Sequence, residues 1–254
     1  MTHAIPMTAR RVRALLREPA WIGITLTTPV IWLLLFGSLF ERAVDIPGFG
    51  SSDYTDFFTP GVVVMTAFFS AGWGGMSMIQ DIDRGIVDRF LATPVRRSSL
   101  IVGSVGQAAL TIAIQSLIIV GLALLVGAGF ANGVLGVIGM IAIGMLLGLT
   151  VGALSNGLAL IVRKEETLIA AINMFVLPLT FLSTVFMQRS LTPDWIQDVA
   201  QFNPVDWAVS AGREALGEDV DWGSVFGYLG LLLGFAALCT WLSSRAFRAY
   251  QRSV

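Results

Sequence analysis

The chain has 254 residues, of which 55% are hydrophobic and only 13% charged, with mean hydropathy +0.77 and net charge −1. Soluble domains carry about 25% charged residues, so an ordinary water-soluble globule is excluded, and no nucleic-acid partner is expected. A single histidine, His3, and a single cysteine, Cys239, exclude a Cys/His metal site, a histidine-based triad and an internal disulfide.

Residues 8–20 read as a helix lying along a membrane surface. Thr8 caps it, Arg10, Arg13 and Arg17 share one face, Val12, Leu15 and Leu16 share the other, and Pro19 ends it. Attraction to anionic lipid, worth about 1 kcal/mol per basic residue, accounts for that face; an elbow that passes force into the next segment is compatible with it.

Six apolar runs without a charged side chain follow: Trp21–Phe40, Pro60–Ile79, Ile101–Gly127, Val134–Val162, Thr167–Met187 and Gly223–Ser244. Each is long enough, at 1.5 Å per residue, to cross a hydrocarbon core of about 30 Å. None shows the polar stripe of a soluble amphipathic helix. The first is too long for a secretory h-region and is expected to be retained. Short connections leave no room for a separate soluble domain, so residues 1–254 are expected to form one transmembrane unit.

Thirteen of the sixteen basic residues fall before the first run, after the second, after the fourth and after the sixth. Arg42, Arg189 and Arg213 lie on the opposite set of connections, with eleven of the seventeen acids. The positive-inside rule therefore places both termini in the cytoplasm.

Between the second and third runs, Gln80–Leu100 is the most distinctive stretch. Asp81 and Arg84 at i,i+3, with Asp88 two turns on, support a short charged helix carrying Phe90 and Leu91 as apolar knobs. Thr93-Pro94 ends it. A charged helix with an apolar edge suits a socket on a soluble partner. Within the runs the polar residues are neutral, among them Thr25, Thr28, Gln107, Gln115, Asn156 and Asn173. They suit hydrogen bonding between helices, and the absence of a charged relay argues against coupling to an ion gradient.

Gly144, Gly148 and Gly152 form a small-x-x-x-small ladder in the fourth run, and Gly230 with Gly234 repeats that spacing in the sixth. Pro29 and Pro178 are each placed to bend a span. Phe68, Phe69, Trp73, Asn173, Phe175 and Phe181 are candidates for lining an apolar substrate path. From Gln188 to Trp222, Thr192-Pro193 and Asn203-Pro204 each read as a cap followed by proline at the first helical position. Too many apolar residues lie between them for a solvated loop, so two short helices dipping into the outer leaflet are expected, a small outer cap being the alternative.

Asp81, Asp83, Arg84, Gly85, Asp88, Arg89, Leu91, Thr93, Pro94, Val95, Arg96 and Arg97 resemble the cytoplasmic signature of type-2 ABC-transporter permeases, most closely the daunorubicin-resistance membrane-protein branch. The resemblance extends to the basic N-terminal helix, the six spans and the long last outer loop. Phe90 and the Ile86-Val87 pair depart from that pattern.

The resemblance implies an all-α integral membrane permease with a cytoplasmic coupling helix in residues 80–97 and re-entrant outer helices. It implies a bacterial plasma-membrane exporter working with two copies of a separate ABC ATPase and with a second permease copy or a paralogue. Asp81, Asp83, Arg84, Gly85, Asp88, Arg89 and Phe90 would contact the ATPase, with Arg163, Lys164 and Glu165 as a second contact. ATP and Mg would be bound by that partner: the only lysine here, Lys164, follows Arg163 rather than a glycine, so the chain has no phosphate-cradling G-x-x-x-x-G-K loop. A hydrophobic or amphipathic cargo is expected from the uncharged spans, with a glycan or lipo-oligosaccharide as the alternative.

Overall fold

The computed structural model describes residues 19–84, 97–218 and 220–251. Most of the surface helix expected at 8–20, with Arg10, Arg13 and Arg17, and residues 85–96 of the connection, with Gly85, Asp88, Arg89 and Phe90, lie outside the described residues. The rest is helical: α1 Pro19–Leu39, α2 Tyr54–Gly72, α3 Gly74–Asp83, α4 Arg97–Val126, α5 Gly133–Val162, α6 Glu165–Phe181, α7 Asp194–Ala200, α8 Pro204–Leu216 and α9 Trp222–Gln251. Short 3₁₀ turns occupy Glu41–Asp45 and Arg189–Leu191.

Among the described residues, four helical stretches are long and apolar enough to cross a membrane: Tyr54–Gln80, Ala108–Val126, Gly133–Val162 and Trp222–Phe247. Gly23–Leu39 is a shorter apolar helix. Large apolar side chains point outward along these helices, among them Ile31, Leu35, Leu125, Ile138, Phe226 and Leu233. Water would penalise that surface; hydrocarbon does not. The chain is a multi-pass membrane protein.

Glycine contacts set the helix directions. A Cβ on Gly144 would meet Val63, one on Gly148 the carbonyl oxygen of Ala67, and one on Gly152 the side chain of Ala71, so α5 runs parallel to α2. Gly144 also faces Ser116 and Gly148 faces Ile112, so α4 runs antiparallel to α5. The ladder thus joins helices within the chain. The Gly230/Gly234 spacing does not repeat this: no described atom lies within 4 Å of a Cβ at either position. α9 is peripheral, with 17% of its apolar window buried against 61% for Tyr54–Gln80.

These directions gather the described starts and ends of the helices into two sets. One, the basic end, holds Arg84, the start of α4 at Arg97, and the Arg163-Lys164 turn. The other, the capped end, holds the 3₁₀ turns, α7 and α8. α4 stops at Gly127, whose φ of 114° suits a residue without Cβ. At the opposite end of α5 the left-handed position is taken by Arg163 (φ 56°), whose N–H donates to the carbonyl of Ala159 at 2.9 Å.

Two departures from the sequence expectation have local causes. The run Thr167–Met187 is helical only to Phe181, because the backbone after it is bound by α8 instead of continuing its own ladder. At Thr192-Pro193 the helix begins one residue later than expected, at Asp194. The Thr192 hydroxyl turns back to donate to the carbonyl of Arg189 at 2.7 Å rather than capping. Asn203-Pro204 does start a helix: Asn203 Oδ1 accepts from the Val205 N–H at 2.9 Å, and Pro204 takes the first turn.

Candidate functional site

At the capped end, the cap residue Asn203 and one face of α8 with Asp206 and Arg213 fasten the segment after α6. Asn203 Nδ2 donates to the carbonyls of Leu179 and Leu182 at 2.6 and 2.8 Å, taking carbonyls that the last turn of α6 leaves over. Asp206 is 1% exposed. Its Oδ1 accepts from both the N–H and the hydroxyl of Thr184, at 2.8 and 2.6 Å.

Arg213 completes the arrangement. Nη2 donates to the carbonyls of Thr184 and Val185 at 2.6 and 3.1 Å, Nη1 to the Thr184 hydroxyl oxygen at 3.1 Å, and Nε to the carbonyl of Phe57 at 3.2 Å. Four of its five N–H donors are engaged. Its guanidinium carbon stands 3.6 Å from the Phe57 ring centroid, a cation–π contact. Thr184 therefore lies between a carboxylate and a guanidinium, and its hydroxyl bonds both. Opposite charges held through polar bridges limit the cost of taking each from water.

Sequence reasoning did not single out Asp206, Arg213 or Thr184. Two opposite charges at i,i+7, in a helix that also carries Val205, Trp207 and Val209, were the available signal. Beside this lock Trp32, Phe36 and Phe40, spaced four apart along one face of α1 and running on past its end, meet Phe58 and Phe186. The Tyr54 hydroxyl donates to the carbonyl of Phe186 at 3.0 Å.

Midway toward the basic end, the second apolar run breaks at Trp73, between α2 and α3. Ser155 of α5 stitches the break: its hydroxyl donates to the carbonyl of Gly72 and accepts from the N–H of Gly75 at 3.1 Å. Gly75 permits this approach, since a Cβ there would stand 2.6 Å from the Ser155 carbonyl oxygen. α1, α2 and α4 border a half-open cavity of about 270 Å³ at this level, reaching from Pro29 and Trp32 on α1 to Gln115 on α4.

The candidate path residues are only partly gathered. Phe69 and Trp73 line this cavity. Phe68 is buried in the core. Asn173 is half-buried on α6, while Phe175 and Phe181 of the same helix are exposed, Phe181 stacking on Phe186 at 5.5 Å.

At the basic end, Asp83 and Arg84 are exposed at the end of α3, and Arg163 and Lys164 are exposed between α5 and α6. Glu165, half-buried, opens α6 with Glu166, where carboxylates suit the helix dipole. Because α5 runs parallel to α2 and Ser155 bonds Gly72 and Gly75, Asp83 and Arg163 lie at similar distances past that contact. The side chain of Asp81 is outside the described residues.

An apolar helical bundle with its short helices and buried ion bridge at one end and its basic turns at the other defines a polytopic membrane protein. The ABC-2 type transporter family matches residues 4–216, and the chain belongs to that family of membrane permease subunits, which normally work with an ABC ATPase. Among its relatives is the daunorubicin resistance ABC transporter permease protein DrrB1 of Streptomyces coeruleorubidus, 28% identical over 87% of this chain and 77% of that protein. The putative transport permease ycf38 of Pyropia yezoensis is 30% identical over 84% of this chain and 73% of its own length. The probable doxorubicin resistance permease protein DrrC of Mycobacterium tuberculosis is 20% identical over 83% and 74%.

Proposed function

We propose that this chain is the membrane-spanning subunit of an ATP-driven exporter in a bacterial plasma membrane, moving a hydrophobic or amphipathic compound outward. The family match over most of the chain carries this reading, and the drug-resistance names of two relatives favour a drug-like or lipid-linked cargo. The chain crosses the membrane six times as a single permease domain, α1 and α6 supplying the spans beyond the four longest stretches. Both termini are cytoplasmic, a reading supported by the shared position of Arg84, Arg163 and Lys164 at one end of the bundle.

Two such chains, or one with a paralogue, form the pathway and dock two ABC ATPase subunits that bind ATP and Mg. Residues 80–97 form the coupling region, with Asp81, Asp83, Arg84, Gly85, Asp88, Arg89 and Phe90 against the ATPase and Arg163, Lys164 and Glu165 as the second contact. Arg10, Arg13 and Arg17 hold the N-terminal segment to anionic lipid. ATP-driven closure of the ATPases tilts the spans, and α7 and α8, dipping into the outer leaflet, yield last as the outer gate.

The test is co-expression with an ABC ATPase encoded beside this chain. The expected result is a stable complex with stimulated ATPase activity, which the combined reversal Asp81→Arg, Asp83→Arg and Arg84→Glu disrupts. Unchanged co-purification and stimulation would remove the coupling assignment.

A further inference from the structure

Gln115 is 2% exposed, and its amide is only half used. Its Nε2 donates to the Thr25 hydroxyl oxygen at 3.3 Å, while Oε1 is buried without a hydrogen-bond partner among the described residues. A buried acceptor left unpaired is destabilising, and such a group is rare enough to call for a ligand or water. Gln115 is one of the residues that line the cavity between α1, α2 and α4.

That cavity has the make-up of a small-molecule site. Its volume of about 270 Å³ is near the lower end of the usual range of about 300–1,000 Å³. Trp32, Phe69 and Trp73 supply flat apolar walls, and Thr28 and Ser70 add hydroxyls. Among the described residues no charged side chain lines it, so the described wall offers an ion no partner. Trp32 is held by stacking on Phe36 at 4.9 Å. Ile24, Thr28 and Trp73 at its rim are exposed on the apolar flank, so it opens sideways toward lipid.

We propose that this cavity binds a neutral, lipid-soluble molecule with a flat apolar body and one hydroxyl or N–H donor. The Gln115 amide turns its Oε1 to that donor as the molecule enters, and the body lies among Trp32, Phe69 and Trp73. That the occupant is exported cargo rests on the exporter reading above; the binding itself does not.

The test uses the full chain in lipid nanodiscs, without ATPase, titrated with 1-hydroxypyrene and its ether 1-methoxypyrene. Energy transfer from tryptophan is read, and empty nanodiscs correct for partitioning. The expected result is saturable binding with the hydroxyl probe about tenfold tighter. The near-isosteric Gln115→Met should bring the two probes within about twofold, and Ser70→Phe, which fills the cavity, should remove saturable binding of both. Equal affinities in the unmodified chain, the signature of a cavity that only takes lipid tails, would overturn the proposal without recourse to a variant. So would preference for the ether, in which Gln115 presents N–H instead, or a preference surviving Gln115→Met. With the ATPase partner added, binding without ATP-driven transport of 1-hydroxypyrene keeps the site and breaks its link to export. Transport without saturable binding overturns the site and keeps the exporter.

Discussion

Thr184 carries the balance of charge at the capped end on a single hydroxyl, which gives to Asp206 and receives from Arg213. Thr184→Val keeps the shape and deletes that bridge. It is expected to cost about 2 kcal/mol, seen in detergent as a fall in apparent Tm of about 4–8 °C. Asp206→Ala should cost more than Asp206→Asn, because asparagine keeps an oxygen for the Thr184 N–H; equal losses would mean that the negative charge alone matters. At the start of α9 the Asp221 carboxylate accepts from the Ser224 hydroxyl at 2.6 Å and the Gly223 N–H at 2.9 Å, and these bonds hold its pKa below the usual carboxylate value. A depressed folded pKa means that the cap is complete above the ordinary carboxylate range and is lost as pH falls through the folded value. Amide exchange at Gly223 and Ser224, corrected for intrinsic rate, should therefore quicken in acid and show no such step in Asp221→Asn. Local chemistry of the Asn203-Pro204 kind is legible in sequence, since cap and target are two residues apart. The Asp206–Thr184–Arg213 bridge is not, because its partners come from a segment more than twenty residues upstream.

Elements show the same division. Hydropathy found the apolar runs, but it treats Leu182–Met187 and the helix before it alike. Only the donors and acceptors on α8 end that helix at Phe181. Glycine spacing marked close packing at Gly148 and Gly152 and gave the same signal at Gly230 and Gly234, where no described neighbour packs. Spacing reports what a helix permits, not whether a neighbour arrives. Gly136→Ala places a Cβ 2.5 Å from the Ala215 carbonyl oxygen on α8, and backbone cannot swing aside. It is expected to destabilise by about 1–3 kcal/mol, whereas Gly230→Ala should be neutral or slightly stabilising by helix propensity; thermal melts of the two variants check this. Arg163 occupies a backbone conformation that glycine adopts freely. Arg163→Gly should hold or raise stability while lowering ATPase stimulation, a split that a purely structural role for the guanidinium would not produce.

Across the whole molecule, α5 is the common neighbour, set against α2 and α3 through Gly144 to Ser155, against α8 through Gly136 and Gly139, and against α9 through Gly157. Its partners at the two ends can be tested separately. A Cβ on Gly139 would stand 3.4 Å from that of Ala215, and one on Gly152 3.9 Å from that of Ala71. Both are near the Cβ separation of about 3.5–4.5 Å that a disulfide needs. In a Cys239→Ser background, Gly139→Cys with Ala215→Cys is expected to cross-link on oxidation and stop ATP-driven transport until reduced. Gly152→Cys with Ala71→Cys should cross-link and leave transport intact. Transport through the first cross-link would mean that α8 stays on α5 throughout the cycle.

The reversal between α5 and α6 spends only Arg163 and Lys164, one left-handed and one extended, before the next helix begins at Glu165. A link that short has no slack to absorb a displacement. Anything that tugs on this hairpin must haul both rods together, so tension applied at two exposed cations reaches Ser155 and the stitched bend beside it along one shaft, and along the other the tether held by Asn203. That two-residue joint thus connects the stitched bend at Trp73 with the segment that Asn203 tethers.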